Sequence, residues 1–250
     1  MTKKVSFKVK YPENLLNFLN KFSSISQSIL ISLSKNGELS VSANTADKTT
    51  VKHSKISFEN VFSEIEGELN ELKFGIFSIN KLKKSIPLFK EDFLFNIYYE
   101  KIDNEYVGTE IELEQKDLKI NFSCASLKIF NIITNEQFSK ICSLENQNYL
   151  DIDLTQEKIK KIIQLFSIDS EDKFLFFEVS KDKSVYSLGK TFKIVIDELE
   201  EYKNFRVGIF KTQFEQLDNE DYKLTLLEDR LIFTSKNSET IIILGAIYEE

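Results

Sequence analysis

The sequence predicts an α+β protein made of two tandem domains that follow one pattern. Three observations lead there. Strand-like alternation recurs along nearly the whole chain, short one-sided helices interrupt it at matching places, and the element order of the first half returns in the second. The 250 residues are 42% hydrophobic and include 22 Phe, enough for a substantial core in each half. Only 7 Gly and 2 Pro occur, so those that fall at turns carry weight as punctuation.

In the first half, Val5, Phe7 and Val9 alternate with polar residues as in a half-buried strand. Tyr11-Pro12 opens a helix over 12–23, because proline is tolerated in a first turn. Leu15, Leu16, Leu19 and Phe22 share its apolar face. The stretch SILISLSKNGELSVSA predicts a hairpin turning at Asn36-Gly37, with both residues at positive φ. Strands are expected at 50–57 and 71–77. Ser78 is expected to cap a second helix, 78–89, with Ile79, Leu82 and Ile86 inward, and three closing strands follow.

The second half repeats this order. Leu150, Ile152 and Leu154 alternate, Thr155 is the expected N-cap, and helix 155–166 turns Ile159, Ile162, Ile163 and Phe166 inward. A hairpin turns at Lys181-Asp182-Lys183, strands follow at 190–196 and 204–209, and helix 210–217 places Phe210, Phe214 and Leu217 inward. Three closing strands end the chain. KDLKINFSCAS at 116–126 matches EDRLIFTSKNS at 228–238, and the changing spacing between matched positions assigns the first half insertions, chiefly a loop Lys101–Gly108. Residues Asn131 to Asn148 are rich in Asn, Gln, Ser and Glu and lack alternation. The expected boundaries are a first domain 1–133, a connector 134–148 and a second domain 149–250.

Several kinds of chemistry find no support. The single histidine, His53, lies in a strand-like VKHSK and reads as a structural or surface residue. No Gly-rich phosphate loop, nucleophile elbow or HExxH occurs. Cys124 and Cys142 have no metal-ligand spacing, and two thiols make no disulfide framework, which suits a reducing cytoplasmic setting. Carboxylate runs such as Asp197, Glu198, Glu200 and Glu201 read as solvated faces. The expectation is therefore no enzyme, no cofactor and no metal site. No apolar run approaches the ~18 residues of a membrane span, and the basic, alternating N-terminus is unlike a signal peptide.

The net charge of −7 is unlike that of a simple nucleic-acid binder, so DNA is a partner only if positive charge collects on one face. The helices offer such a face. Stepping 100° per residue from the buried direction, helix 155–166 points Glu157, Lys161 and Gln164 outward, flanked by Lys158 and Lys160. Helix 78–89 points out Lys81 and Lys84 beside Lys83, and helix 12–23 points out Asn14, Asn17 and Lys21. In helix 210–217 only Lys211 is basic, against the acidic Glu215.

A tandem repeat of strand, helix, four strands, helix and three strands resembles the DNA sliding clamps. In length and pattern it is closest to those of T-even-like tailed phages and is similar to proliferating cell nuclear antigen. LTQEKIKKIIQLFSI resembles the phage clamps' first helix of the second domain, and NEDYKLTLLEDRLIFTSKNSETIIILGAIYEE their closing strands. The resemblance implies outer antiparallel sheets, helices lining an inner face, and a ring of three chains around duplex DNA. It implies a non-enzymatic processivity factor whose partners are double-stranded DNA read without sequence preference, further copies of itself, a DNA polymerase and a clamp loader. Late transcription is a further client in some phage relatives, and a viral chain would work in the host cytoplasm.

The DNA-facing residues would be Lys21, Lys81, Lys83, Lys84, Lys158, Lys160, Lys161 and Lys211. Subunits would pair through edge strands near 109–122 and 173–188. Partner peptides would dock on Ile129, Ile132 and Ile133 at the connector, with Ala246, Ile247 and Tyr248 at the tail. Two other readings share the composition: an acidic, β-rich structural or scaffold oligomer with no DNA-tethering role, and a hydrolase with a carboxylate-bound metal.

Overall fold

A computed structural model describes residues 2–90, 92–130, 135–145, 147–168 and 171–247. Two compact units emerge. The first comprises Met1–Asn44 and His53–Ile133, the second Thr45–Lys52 and Thr134–Glu250.

The first unit runs β1 (Lys3–Val9), α1 (Pro12–Asn20), β2 (Ile29–Leu33), β3 (Leu39–Asn44), β4 (Thr50–Ile56, whose first residues belong to the other unit), β5 (Phe62–Glu66), β6 (Leu72–Ile76), α2 (Ile79–Ser85), β7 (Phe93–Ile102), β8 (Glu105–Gln115) and β9 (Leu118–Ser123). Within it the strand order is β3-β2-β6-β8-β7-β1-β5, with β9 also on β8. All these pairs are antiparallel except β6 with β8. Strand alternation decides the faces. Val5, Phe7, Val9, Phe95, Ile97, Ile111 and Leu113 turn inward, and the stripe Leu15, Phe18 and Leu19 of α1 and Ile79 and Leu82 of α2 closes over them.

The second unit opens with α3 (Asn135–Cys142), a helix inside the segment expected to be a plain connector. It continues with β10 (Leu150–Leu154), α4 (Gln156–Phe166), β11 (Phe174–Val179), β12 (Ser184–Leu188), β13 (Lys193–Glu198), β14 (Arg206–Phe210), α5 (Lys211–Phe214), β15 (Tyr222–Leu226), β16 (Arg230–Ser235) and β17 (Thr240–Gly245). One group of strands is ordered β10-β15-β16-β17, the other β13-β12-β11-β14. Its core gathers Ile152, Leu154, Ile159, Ile162, Phe166, Phe177, Phe214 and Phe233. Thr155 accepts a hydrogen bond from the Lys158 amide at 3.3 Å, so the expected cap is present.

The two units repeat one pairing scheme. β1 with β7, β7 with β8, β8 with β9, β2 with β3 and β2 with β6 correspond to β10 with β15, β15 with β16, β16 with β17, β11 with β12 and β11 with β14. The inward pairs Val5–Ile97 and Phe7–Phe95 have counterparts in Leu150–Leu226 and Ile152–Leu224. The first unit adds β5, which pairs with β1 and was not foreseen. Its run Ser63–Glu66 is wholly exposed, so it lacks the inward alternation that marks a half-buried strand.

The pairing scheme corrects several expectations. KDLKINFSCAS forms the third closing strand, β9, whereas EDRLIFTSKNS forms the second, β16; the match was one strand out of step because short alternating strands look alike. The segment 101–108 is not a loop. β7 and β8 run on to a two-residue turn, Asp103-Asn104, at φ 49° and 69°, the positive-φ pair expected at Asn36-Gly37. At that site only Gly37 is left-handed, at 84°, and five residues join the strands. Residues 173–188 form β11 and β12, both interior, so they offer no edge; the ends of that group are β13 and β14, and β14 takes the bridge from Ile247. In the other proposed segment, β8 is interior and only β9 is an edge. Ser78 occupies the N-cap position of α2 without a side-chain cap bond. α2 gives way at Ser85 to a 3-10 turn, Ile86–Leu88, around Pro87, and α5 is only four residues, leaving Phe210 at a strand end and 40% exposed.

Candidate nucleic-acid and partner interface

Each helix buries one stripe and leaves the other in solvent, so the lysines opposite the core are presented outward. Lys81 and Lys84 on α2 and Lys160 and Lys161 on α4 are exposed. Their amines make no ion pair or hydrogen bond among the described residues. The other candidates are engaged. Lys83 Nζ donates to Ser23 Oγ at 2.7 Å, and Lys158 Nζ to the Ile196 carbonyl. Lys211 Nζ donates to the Phe166 carbonyl at 3.2 Å and lies 5.3 Å from that ring's centroid, a cation at the end of α4 where the helix dipole favours it. Lys21 is half-buried just beyond α1, whose solvent face is otherwise Glu13, Asn14, Asn17 and Asn20. The eight lysines thus divide into four amines free among the described residues, three that tie helices to their own unit, and Lys21.

The opposite face of the first unit is rich in carboxylates. Along β8, Ile111 and Leu113 face the core beneath the helices, so Glu110, Glu112 and Glu114 project from the far side of the sheet. Burial alone would raise the Glu112 carboxyl. Hydrogen bonds from Lys119, Asn96 and Tyr98 outweigh it and hold that carboxyl below its usual range. Lys119 Nζ bridges Glu112 and Glu114 at 3.2 Å to each. The sheet face of the first unit is thus mixed in sign, its carboxylates interleaved with Lys4, Lys8 and Lys119, whereas α2 presents lysine outward without a carboxylate of its own.

Of the expected peptide-docking residues, those described lie in two places. Ile129 ends a short turn of the first unit and is 55% exposed. Ala246 and Ile247 follow β17 in the second unit and are half-buried; their amides bond to the carbonyls of Asp229 at 2.9 Å and Gly208 at 2.8 Å. Ile132, Ile133 and Tyr248 fall outside the described residues. His53 is half-buried, with Nδ1 2.8 Å from Ser42 Oγ. No helix of the described residues is long and apolar enough to cross a membrane, and none of their His, Cys, Asp and Glu side chains cluster as a metal site.

Two glycines were missed. Gly75 and Gly208 occupy the same place in the two units, within the repeated tripeptide Gly-Ile-Phe, and each receives the residue two past the end of the last closing strand. The Ala125 amide bonds to the Gly75 carbonyl at 2.9 Å, and the Ile247 amide to that of Gly208 at 2.8 Å. A Cβ on Gly75 would lie 2.7 Å from the Ala125 carbonyl oxygen; one on Gly208 would lie 2.6 Å from Phe176 Cε1. The absence of a side chain lets the last strand close onto β6 or β14. The repeated tripeptide was the available signal.

Arg230, the other residue overlooked, is buried at the start of β16. Its guanidinium bonds to the Ile141 and Ser143 carbonyls, to Gln147 and to Asp229.

No family model and no curated protein sequence matches the chain. Solved structures do match, sliding clamps among them. The DNA polymerase III β subunit from Pseudomonas aeruginosa aligns at TM-score 0.69 and 11% identity over 99% of this chain and 65% of its own. Proliferating cellular nuclear antigen from Entamoeba histolytica aligns at 0.67 and 15%, over 98% and 99%. The A. fulgidus PCNA bound to the C-terminal region of FEN-1 aligns at 0.65 and 13%, over 98% and 99%. The chain has the DNA sliding-clamp fold. It spans about two thirds of the length of the bacterial β clamps it matches and nearly all of the PCNA chains.

Proposed function

We propose that the protein is a DNA sliding clamp: a non-enzymatic ring of three chains that encircles duplex DNA and tethers a replicative polymerase. The observation that carries the reading is a clamp-type unit, present twice, whose helix faces present lysine among the described residues. Unpaired amines stand on exposed helix faces in both units, in a chain whose net charge is −7. A ring holds DNA by topology, so it needs only weak, sequence-independent attraction to phosphates. Lysine suits that task as a flexible point charge, whereas arginine favours fixed bidentate contacts. Carboxylates on the outer sheet discourage DNA from binding there.

Two such units per chain reach six with three copies. The unpaired edges β9 and β13 are the strands that would join head to tail, which would also cover edges prone to aggregation. A clamp loader would open the ring. Partner peptides would dock near the connector and the tail; that a chain of this fold takes up such a segment is suggested by A. fulgidus PCNA, to which the C-terminal region of FEN-1 is bound.

The test is primer extension on a primed circular template with the cognate polymerase, loader and ATP, alongside native mass spectrometry. The reading expects longer products with the clamp present, a trimeric mass, and shorter products when Lys81, Lys84 and Lys161 become Glu. Unchanged product length on adding the protein overturns it.

A further inference from the structure

We propose that Arg230 is the positioning residue of the partner-docking surface: it clasps the connector onto the strand that also holds the C-terminal tail. The proposal rests on the clamp reading for what docks there; the clasp itself rests on geometry within the second unit.

Arg206 and Arg230 are the only arginines in the chain. Arg230 is 8% exposed, and each of its guanidinium nitrogens has a partner. Nε donates to the Ile141 carbonyl at 2.8 Å. Nη2 donates to the Ser143 carbonyl at 3.1 Å and to Gln147 Oε1 at 3.0 Å. Nη1 donates to both carboxylate oxygens of Asp229, at 2.6 and 2.7 Å. Five N–H groups in a fixed plane meet five acceptors, an arrangement that a lysine amine with three donors cannot reproduce.

The acceptors identify what is held. Ile141 lies at the C-terminal end of α3 and Ser143 just past it, where unpaired carbonyls and the helix dipole both favour a cation. The strap has little other anchorage by burial: no described residue from Gln137 to Tyr149 is fully buried. Tail and clasp share the same two residues. The Ala246 amide bonds to the Asp229 carbonyl at 2.9 Å, and Arg230 pairs with Gly245 in the β16–β17 ladder. Connector and tail therefore meet at Asp229-Arg230, and a peptide touching both would find them prealigned. Prealignment removes ordering cost from binding.

The test compares wild type, R230K and Q147A as full-length protein. Hydrogen exchange reads the clasp. R230K keeps the charge and is expected to speed exchange of amides in 137–147 by ~10-fold or more, with the β10–β17 core amides unchanged, because several charged hydrogen bonds are lost. Q147A, which removes one acceptor, is expected to have a smaller effect in the same segment. Unchanged exchange in R230K overturns the clasp. Direct binding to the polymerase encoded by the same genome reads the docking role: R230K is expected to weaken it several-fold while leaving the oligomeric mass intact. Faster strap exchange with unaltered polymerase binding overturns the docking role. Failure of wild type itself to bind polymerase counts against the clamp reading, and the exchange data then judge the clasp alone.

Discussion

Replacing the four free lysines with Gln, and the three engaged ones in a separate variant, asks whether the exposed helix faces meet DNA. Lys81, Lys84, Lys160 and Lys161 are exposed with unpaired amines, whereas Lys83, Lys158 and Lys211 are held by Ser23, Ile196 and Phe166. Each lysine on a phosphate adds ~0.9 to the slope of log affinity against log salt, so the quadruple variant should lose up to about 3.6 per chain. Between roughly 50 and 200 mM salt, that slope alone corresponds to about a hundredfold change in affinity. The engaged trio should behave differently. Each gives up a hydrogen bond from a charged donor in a half-exposed place, costing about 1 kcal/mol of stability, and the slope should change little. Fluorescence anisotropy with a short labelled duplex across a salt series reads the slope, and urea denaturation reads the stability. If the quadruple variant keeps the wild-type slope, or the trio lowers it as much, the helix faces are not the DNA surface.

Other consequences follow from buried or crowded groups. G75A should destabilise the first unit by about 2 kcal/mol, since its Cβ would meet the Ala125 carbonyl oxygen as well as the Phe130 ring; G208A should cost less, because all its nearest neighbours are side-chain atoms of Phe176 and Ile247 that can shift, and chemical denaturation ranks the two. Lys52 is fully buried and pairs with Asp218 at 2.7 Å, so K52M should cost about 3 kcal/mol by removing one member of that pair, measured the same way. Burial lowers the His53 pKa below its ordinary 6.5, with Lys55 adding to the effect. The folded protein thus binds this proton less readily than the unfolded chain. The His53 contribution is full above pH 6.5 and is lost as pH falls through the folded value; H53Q should flatten that part of the stability–pH curve. Burial pushes the Cys124 thiol up to about 12, so it should resist alkylation at pH 8 in the native protein and react on unfolding, as mass spectrometry would report.

Much of the architecture was legible because it is local. Period-two alternation in Val5, Phe7 and Val9 and in Leu150, Ile152 and Leu154 marks the opening strands. The three-four spacing of Leu15 and Leu19, and of Ile159, Ile162 and Phe166, marks the buried helix stripes. Because one helix face must be buried, the same residues determined which lysines point outward. The repeat followed from element order.

Strand partnership was not local, and there the reading slipped. The 116–126 segment alternates much as 228–238 does, yet one is β9 and the other β16. Only the pairing of β7 with β1, and of β15 with β10, distinguishes a third closing strand from a second. The same blindness assigned interior strands β11 and β12 to an edge, because whether a strand has a second neighbour depends on segments far away in the chain. Which lysines are free was equally a tertiary matter: Lys158 and Lys160 sit two positions apart on one helix, but only Lys158 reaches a carbonyl of β13. Arg230 and the two Gly-Ile-Phe glycines belong to the same class. The sequence by itself determined periodicity, buried faces and the doubled plan, since these depend on neighbours within a few residues. Hydrogen-bond partners, close backbone approaches and the division of amines into bound and free required the folded chain, because each depends on which distant atoms arrive beside it.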